Sequence, residues 1–424
     1  MSEFDAILAI GATTVLLLGV ISGYVRNRLW ISEPAICLGV GLALSPLEFE
    51  LLGLRPGSDE YLSVIQQVAR VTLAISVMGS ALRLPKGYVR SNWRELALIL
   101  GIGLPLMSLS GSLLAYFILS LPLLTACLIG TVLAPTDPVL ADSIVAGKIA
   151  DENVPLRLRS SITAESGAND GLALLLVMIP VLLLTQPPGE AAIQWLTQTL
   201  PREVLGAIIV GAALGWAAGK ALIWAYAQPF SERVSGLTAS VALALTATAW
   251  VHMVGSSGIL AAFVAGVVFH RYLLRVEDPR YEHVQEAIGR FFDLPVFVLL
   301  GLSAPWRQWL ELDWTAWIFV VAVLLLRRPP VWLLLYRVLP SVESRREALF
   351  NGWFGPIGIA AVFYAAEATH ITHIGQVWTI GSLVVFASTA MHGISATPLI
   401  RHYGRLIARS PAPEETRSSV EERA

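Results

Sequence analysis

Apolar residues along this chain gather into long stretches, separated by short polar or proline- and glycine-marked joints. Stretches long enough to cross a bilayer, about 17–25 residues each, fall near residues 5–24, 30–47, 62–82, 94–118, 121–147, 158–185, 203–226, 234–254, 257–272, 285–304, 314–338, 345–367 and 376–402. They predict an all-α polytopic membrane protein of about thirteen helices. The opening Met1-Ser2-Glu3-Phe4-Asp5 has no positive leader region, so the first stretch reads as a retained span and not a cleaved signal.

Two stretches are interrupted: one by Ala134-Pro135-Thr136-Asp137-Pro138, the other by Gly352-Trp353-Phe354-Gly355-Pro356-Ile357-Gly358. Proline lacks an amide hydrogen and disfavours helix in the residue before it, so both segments are expected to unwind at mid-membrane and free backbone carbonyls. Bare backbone at that depth survives only where it is buried in protein or lines a watery cavity. Paired broken helices of this kind point to a transporter's binding site. The breaks fall in the fifth stretch of two sets of six, which start near residues 5 and 234. This placement predicts one transmembrane domain over 1–404, built of inverted repeats at about 5–185 and about 234–402 joined by a linker helix at about 203–226. Residues 405–424, with Pro411, Pro413 and the polar end Glu421-Glu422-Arg423-Ala424, read as a short disordered tail.

Charge adds orientation. Taken alternately, one set of joints carries Arg26 and Arg28; Arg83, Lys86, Arg90 and Arg94; Lys148, Arg157 and Arg159; Lys220 and Arg233; Arg271, Arg275 and Arg280; and Arg337, Arg345 and Arg346, whereas the other carries Arg55, Arg202 and Arg307. By the positive-inside rule this predicts an N-terminus outside and a cytoplasmic tail from Arg401 onward, in the inner (plasma) membrane of the cell. Composition agrees: 55% of the 424 residues are hydrophobic and 14% charged, which excludes a soluble enzyme of this length. With no basic block, no nucleic-acid partner is expected. Cys37 and Cys127 lie in separate apolar stretches without metal-type spacing and read as buried free thiols.

Candidate chemistry concentrates after the first break, in Thr163-Ala164-Glu165-Ser166-Gly167-Ala168-Asn169-Asp170-Gly171. Glu165 with Asn169, and Ser166 with Asp170, are four apart and share one polar stripe on a helix. A carboxylate at the bilayer centre costs roughly 2.5–3.5 kcal/mol and marks ion or proton pathways. Asp170 is the candidate for exchanging a proton against a metal ion. Hard monovalent cations want oxygen ligands, and the carboxylates of Asp170 and Asp137, the Ser166 hydroxyl and the Thr136 carbonyl offer them. Asp137 also reads as a cap on the broken helix, and both roles are compatible. Asn169 offers an uncharged amide to tie the unwound stretch to its neighbour. An ionised Glu165 needs a cation. Arg327 and Arg328, ahead of Pro329-Pro330, supply two, unless both lie at the cytoplasmic interface against lipid phosphates. For Glu33, Arg70 and Asp293, ordinary interhelical pairing is the expectation. His252, His270, His370, His373 and His392 show no metal-ligand spacing.

These residues resemble the monovalent cation:proton antiporters, the family of electroneutral sodium/proton exchangers of bacteria, archaea and animals. The likeness runs from Ser32-Glu33-Pro34 through Thr136-Asp137-Pro138, Glu165 to Gly171, Gly258 to Gly266 and Trp353-Phe354-Gly355-Pro356 to His392-Gly393-Ile394-Ser395-Ala396-Thr397-Pro398. It implies thirteen helices with two crossed, broken ones, a core domain moving against a dimerisation domain, homodimers, and no cofactor or enzymatic activity. It also implies that Asp170 binds the cation, Na+, Li+ or K+, with Thr136, Asp137 and Ser166 as accessory ligands. Asn169 stabilises the site in this reading, and Glu165 pairs with Arg328, the arginine directly before proline. Asparagine before Asp170 is similar to the branch exchanging one cation for one proton. One departure stands out: many relatives carry a basic residue where this chain has Ile357, so the dipoles of the second broken helix must be compensated otherwise. Two further readings are a sodium-coupled organic anion carrier on the same fold and an intramembrane aspartyl protease. The second lacks supporting residues around Asp137 and Asp170.

Overall fold

The computed structural model describes residues 12–20, 28, 30–51, 58–228, 236–274 and 282–408. The ends of the first predicted stretch, Arg26, Arg55, Arg233, Arg275 and Arg280 of the charge pattern, and residues 409–424 of the predicted tail lie outside the described residues. Among the described residues there is no strand, and every predicted stretch contains helix. In order these are α1 (12–20), α2 (Glu33–Leu51), α3 (Asp59–Arg83), α4 (Trp93–Leu119), α5 (Leu123–Val132), α6 (Pro138–Val145), α7 (Leu156–Thr185), α8 (Pro188–Tyr226), α9 (Gly236–Met253), α10 (Ile259–Leu273), α11 (Glu282–Leu302), α12 (Trp314–Leu326), α13 (Pro329–Leu335), α14 (Arg345–Trp353), α15 (Ile359–Thr372) and α16 (Gly375–Ala408). Among the described residues six helical segments are long and apolar enough to cross a membrane, counting Trp314–Val338, which holds α12 and α13, as one, and several shorter apolar helices accompany them. Large apolar side chains such as Phe117, Ile209 and Leu334 point outward, the arrangement of an integral membrane protein whose solvent is lipid.

Local chemistry sets the ends. Ser58 accepts a hydrogen bond from Tyr61 N (3.3 Å) at the start of α3, Asp313 one from Trp314 N (2.7 Å) at α12, and Ser344 one from Glu347 N (3.2 Å) at α14, each satisfying an orphan amide of the first turn. Close crossings are set by glycine. A Cβ at Gly41 would collide with Val298 O and one at Gly301 with Leu38 O, so α2 and α11 meet backbone to backbone. Gly211 and Gly215 do the same for α8 against Ala261 and Ala265 of α10, and Gly219 makes room for the Tyr272 ring, the small-residue packing that membrane helices use in place of a hydrophobic driving force.

Three boundaries differ from the sequence reading. The linker helix was expected from residue 203, but α8 begins at Pro188. It absorbs Pro201 in the π-type turns Trp195–Thr199 and Pro201–Gly206, whose wider spacing accommodates a residue without an amide hydrogen. The last helix continues to Ala408 instead of stopping near 404, held by Tyr403, whose ring lies 4.4 Å from that of Phe350 and whose hydroxyl donates to Glu347 (3.3 Å). The stretch 314–338, expected as one helix, is interrupted at Arg327-Arg328, where Pro329 and Pro330 withhold two amides. Cys37 is buried and Cys127 half-buried, and both are free thiols.

Candidate cation site at the crossing of two broken helices

Both proline-marked segments unwind. The first is open over residues 133–137, between α5 and α6; the second over 354–358, between α14 and α15. They touch: Asp137 N donates to Pro356 O (2.9 Å). Gly358 lies so near Asp137 that any Cβ there would strike its carboxylate, which is why this position of the second break holds glycine.

The crossing brings four half-helix ends together, and two side chains neutralise them in pairs. Asp137 Oδ1 accepts from Val139 N (2.7 Å) and Leu140 N (3.1 Å) at the start of α6, and its Oδ2 accepts from Ile359 N at the start of α15. One carboxylate thus sits on both positive helix termini. Arg327 Nη1 donates to Leu133 O (2.6 Å), Ala134 O (2.6 Å) and Pro135 O (3.3 Å) beyond the end of α5, and Nη2 donates to Gly355 O (2.7 Å) beyond α14. One guanidinium serves both negative termini. The compensation that Ile357 cannot provide therefore comes from another helix. Ile357 N itself donates to Ser388 Oγ (2.8 Å) on α16, and His392 of the same helix places Nε2 2.9 Å from Trp353 O.

The polar stripe of α7 runs beside the crossing. Glu165, Ser166, Asn169 and Asp170 are all at most 1% exposed. Asn169 is a bracket: its Nδ2 donates to Thr136 Oγ1 (2.8 Å) and its Oδ1 accepts from Thr136 N (3.3 Å), while Thr136 Oγ1 lies 3.2 Å from Ser166 Oγ. Glu165 meets Arg328 in a two-pronged ion pair, Nη1–Oε1 2.5 Å and Nη2–Oε2 2.8 Å, with Arg328 Nε donating to Asn351 O (3.0 Å). Both arginines are 2% exposed, so neither reaches lipid phosphate. Asp170 is different. It is 0% exposed, and neither carboxylate oxygen has a hydrogen-bond partner. Its main-chain carbonyl accepts from the Tyr364 hydroxyl of α15, and it lies within electrostatic reach of Asp137. Thr136, Asp137, Glu165, Ser166, Asn169, Asp170 and Arg328 are thus gathered on three neighbouring elements.

Arg70 and Asp293, expected to pair between helices, form no ion pair among the described residues; Oδ1 of Asp293 is buried without a partner. Sequence reasoning offered Arg327 only as an alternative partner of Glu165, not as a residue that binds the backbone of both breaks. Its only signal was the doubled arginine before two prolines. Buried Glu95 and Glu203 were also missed, because carboxylates near the ends of apolar stretches look like ordinary interface charges.

Against known proteins, residues 12–402 match the family described as sodium/hydrogen exchanger, transmembrane. The Na(+)/H(+) antiporter 2 of Zygosaccharomyces rouxii is 28% identical over 421 residues, covering 91% of this chain and 51% of that protein. The K(+)/H(+) antiporter NhaP of Alkalimonas amylolytica is 23% identical over 97% of this chain and 69% of its own length. This chain spans about half the length of several of the curated relatives it matches. Among solved structures, the sodium proton antiporter MjNhaP1 from Methanocaldococcus jannaschii superposes with a TM-score of 0.72 at 19% identity, over 96% of this chain and 99% of that one. The broken, crossed helices and the family match over nearly the whole described length agree: the chain belongs to the transmembrane sodium/hydrogen exchanger family.

Proposed function

We propose that this protein is a secondary antiporter that exchanges one monovalent cation, Na+ or its neighbours Li+ and K+, for one proton, both competing for Asp170. The observation that carries the reading is the Asp170 carboxylate, fully buried and without a hydrogen-bond partner. An isolated carboxylate in that setting is too costly to leave charged and bare. It must hold a proton or a cation, and a residue obliged to hold one or the other is an exchanger. Ser166, one turn before Asp170 on α7, and Thr136, whose hydroxyl lies 3.2 Å from that of Ser166, offer the accessory oxygen ligands. Asp137 fixes the half-helices and lends negative charge to the same pocket.

Stoichiometry follows from charge counting. Asn169 is neutral, Glu165 is matched by Arg328, and Asp137 and Arg327 at the crossing offset one another, so the site has one unmatched carboxylate, and its loaded forms carry equal charge whether H+ or M+ is bound. Alternating access by movement of the crossing region against the α8–α10 side, in a homodimer with N-terminus outside and C-terminus cytoplasmic, completes the reading, as do two inverted repeats flanking α8. In reconstituted vesicles, an imposed Na+, Li+ or K+ gradient should drive counterflow of protons, and Asp170→Asn should abolish it. Cation-driven proton flux that persists in the variant would overturn the assignment of Asp170. Cation uptake that instead needs an organic anion and no proton counterflux would favour the carrier alternative.

A further inference from the structure

The Asp170 carboxylate makes no hydrogen bond, so its place is set by the backbone that carries it. That backbone is fastened at two consecutive residues, one to each broken helix. Asn169 brackets Thr136 of the first break through its side chain. Asp170 accepts on its main-chain oxygen a hydrogen bond from the Tyr364 hydroxyl, in the second turn of α15 beyond the second break. Among the described residues this is the hydrogen bond that joins Asp170 to another helix. The Tyr364 oxygen is also hydrogen-bonded to the amide of Leu174, the group that closes the helical turn on Asp170 O. A tyrosine of α15 thus sits on the rung of α7 that begins at Asp170. Its side chain is fully buried, with the ring edge-on to Phe363 at 5.0 Å between centroids, and close packing leaves the hydroxyl little freedom.

The start of the same helix is fastened to the other acid. Ile359 N, in the first turn of α15, donates to Asp137 Oδ2. From Ile359 to Tyr364 the helix rises about 7.5 Å. The first two turns of α15 therefore act as a spacer between Asp137 and the turn of α7 that bears Asp170, two acids that lie within electrostatic reach of each other. Spacing matters unequally to the two substrates. A proton sits on one carboxylate oxygen. A cation has to be met by several oxygens at once, and which cation fits depends on how far apart they stand and how firmly they are held.

We infer that Tyr364 is a positioning residue for cation selection: its hydroxyl, at the end of the α15 spacer, sets the distance between Asp137 and Asp170 and so decides which monovalent cation the pocket prefers. The inference rests on the antiporter reading, in which Asp170 takes the cation, but has its own readout. Tyr364→Phe removes one hydroxyl and keeps the buried ring. In equilibrium binding of Na+, Li+ and K+ to the purified protein at alkaline pH, it should weaken the cation that the wild type prefers about tenfold, on the scale of one hydrogen bond. The other two should weaken less, so that the preference flattens. In vesicles, the half-saturating concentration of the preferred cation should rise by the same factor at every pH, because the proton's hold on Asp170 is unchanged, and the maximal rate should be kept. Tyr364→4-aminophenylalanine, which returns a donor to the end of the ring, should restore the preference. Unchanged affinities in Tyr364→Phe, an equal loss for all three cations, a shifted pH dependence or no recovery with the amino variant would overturn the role. So would a Tyr364→Phe protein that fails to fold, since the hydroxyl would then serve stability and not selection. Wild-type protein that binds Na+ but drives no proton counterflow would instead sink the antiporter reading and leave the positioning role standing.

Discussion

Glu165 and Arg328 are 0% and 2% exposed and joined by two hydrogen bonds, so each exists as an ion only because the other does. Removing one partner strands a buried charge, at a cost of about 3–5 kcal/mol, whereas replacing both with apolar residues can be close to neutral. Arg328→Met is expected to lower the unfolding temperature of the detergent-purified protein steeply, and Glu165→Leu/Arg328→Met to recover much of that loss. Equal instability of single and double variants would show that the pair acts through something other than charge matching. Arg327 invites a different experiment, because its partners are four backbone carbonyls. Arg327→Leu should cut the maximal transport rate by an order of magnitude or more, since it removes four charge-assisted hydrogen bonds at about 1.5–3 kcal/mol each and about 1.4 kcal/mol is already tenfold. Arg327→Leu/Ile357→Lys should restore part of it by returning a cation to the same break. Without rescue, the guanidinium geometry and not its charge would be what matters.

At the scale of the element, the two breaks are opposite ends of one device. Each half-helix ends at mid-membrane with bare amides or carbonyls, and the crossing lets one acid and one base satisfy two termini apiece. The kink at Arg327-Arg328 belongs to it, since Pro329 and Pro330 stop α12 where both guanidiniums enter the protein. The breaks themselves were legible in the sequence, because proline acts locally. That the compensating cation would come from α12 was not, because the pairing spans 194 residues between Leu133 and Arg327 and no local pattern encodes it. The α2–α11 crossing is equally non-local. Gly301→Val would force the α2 and α11 backbones apart, and its expected outcome is loss of monodisperse protein on size-exclusion chromatography. A folded, active variant would show that the contact is dispensable.

At the scale of the whole molecule, one unmatched carboxylate per site predicts transport that carries no net charge. Exchange measured in vesicles with the membrane potential clamped at zero and then released should run at the same rate; acceleration by potential would contradict the one-for-one exchange. The hydrophobic periodicity determined by itself that this is an all-helical membrane protein, and its interruptions located the crossing, because burial in lipid and the missing amide of proline act on each segment separately. Asp170 was legible as a candidate, since a mid-membrane carboxylate needs a reason wherever it lies. Tertiary structure alone decided that Asp170 is, among the described residues, the acid with both buried oxygens left without a hydrogen-bond partner, that Asp137 is committed to two helix ends, that Arg327 answers both breaks, and that Glu203 and Glu367 share a cavity. Each of these depends on which side chains meet across helices distant in sequence, and a charge is costly or satisfied only in relation to what it meets.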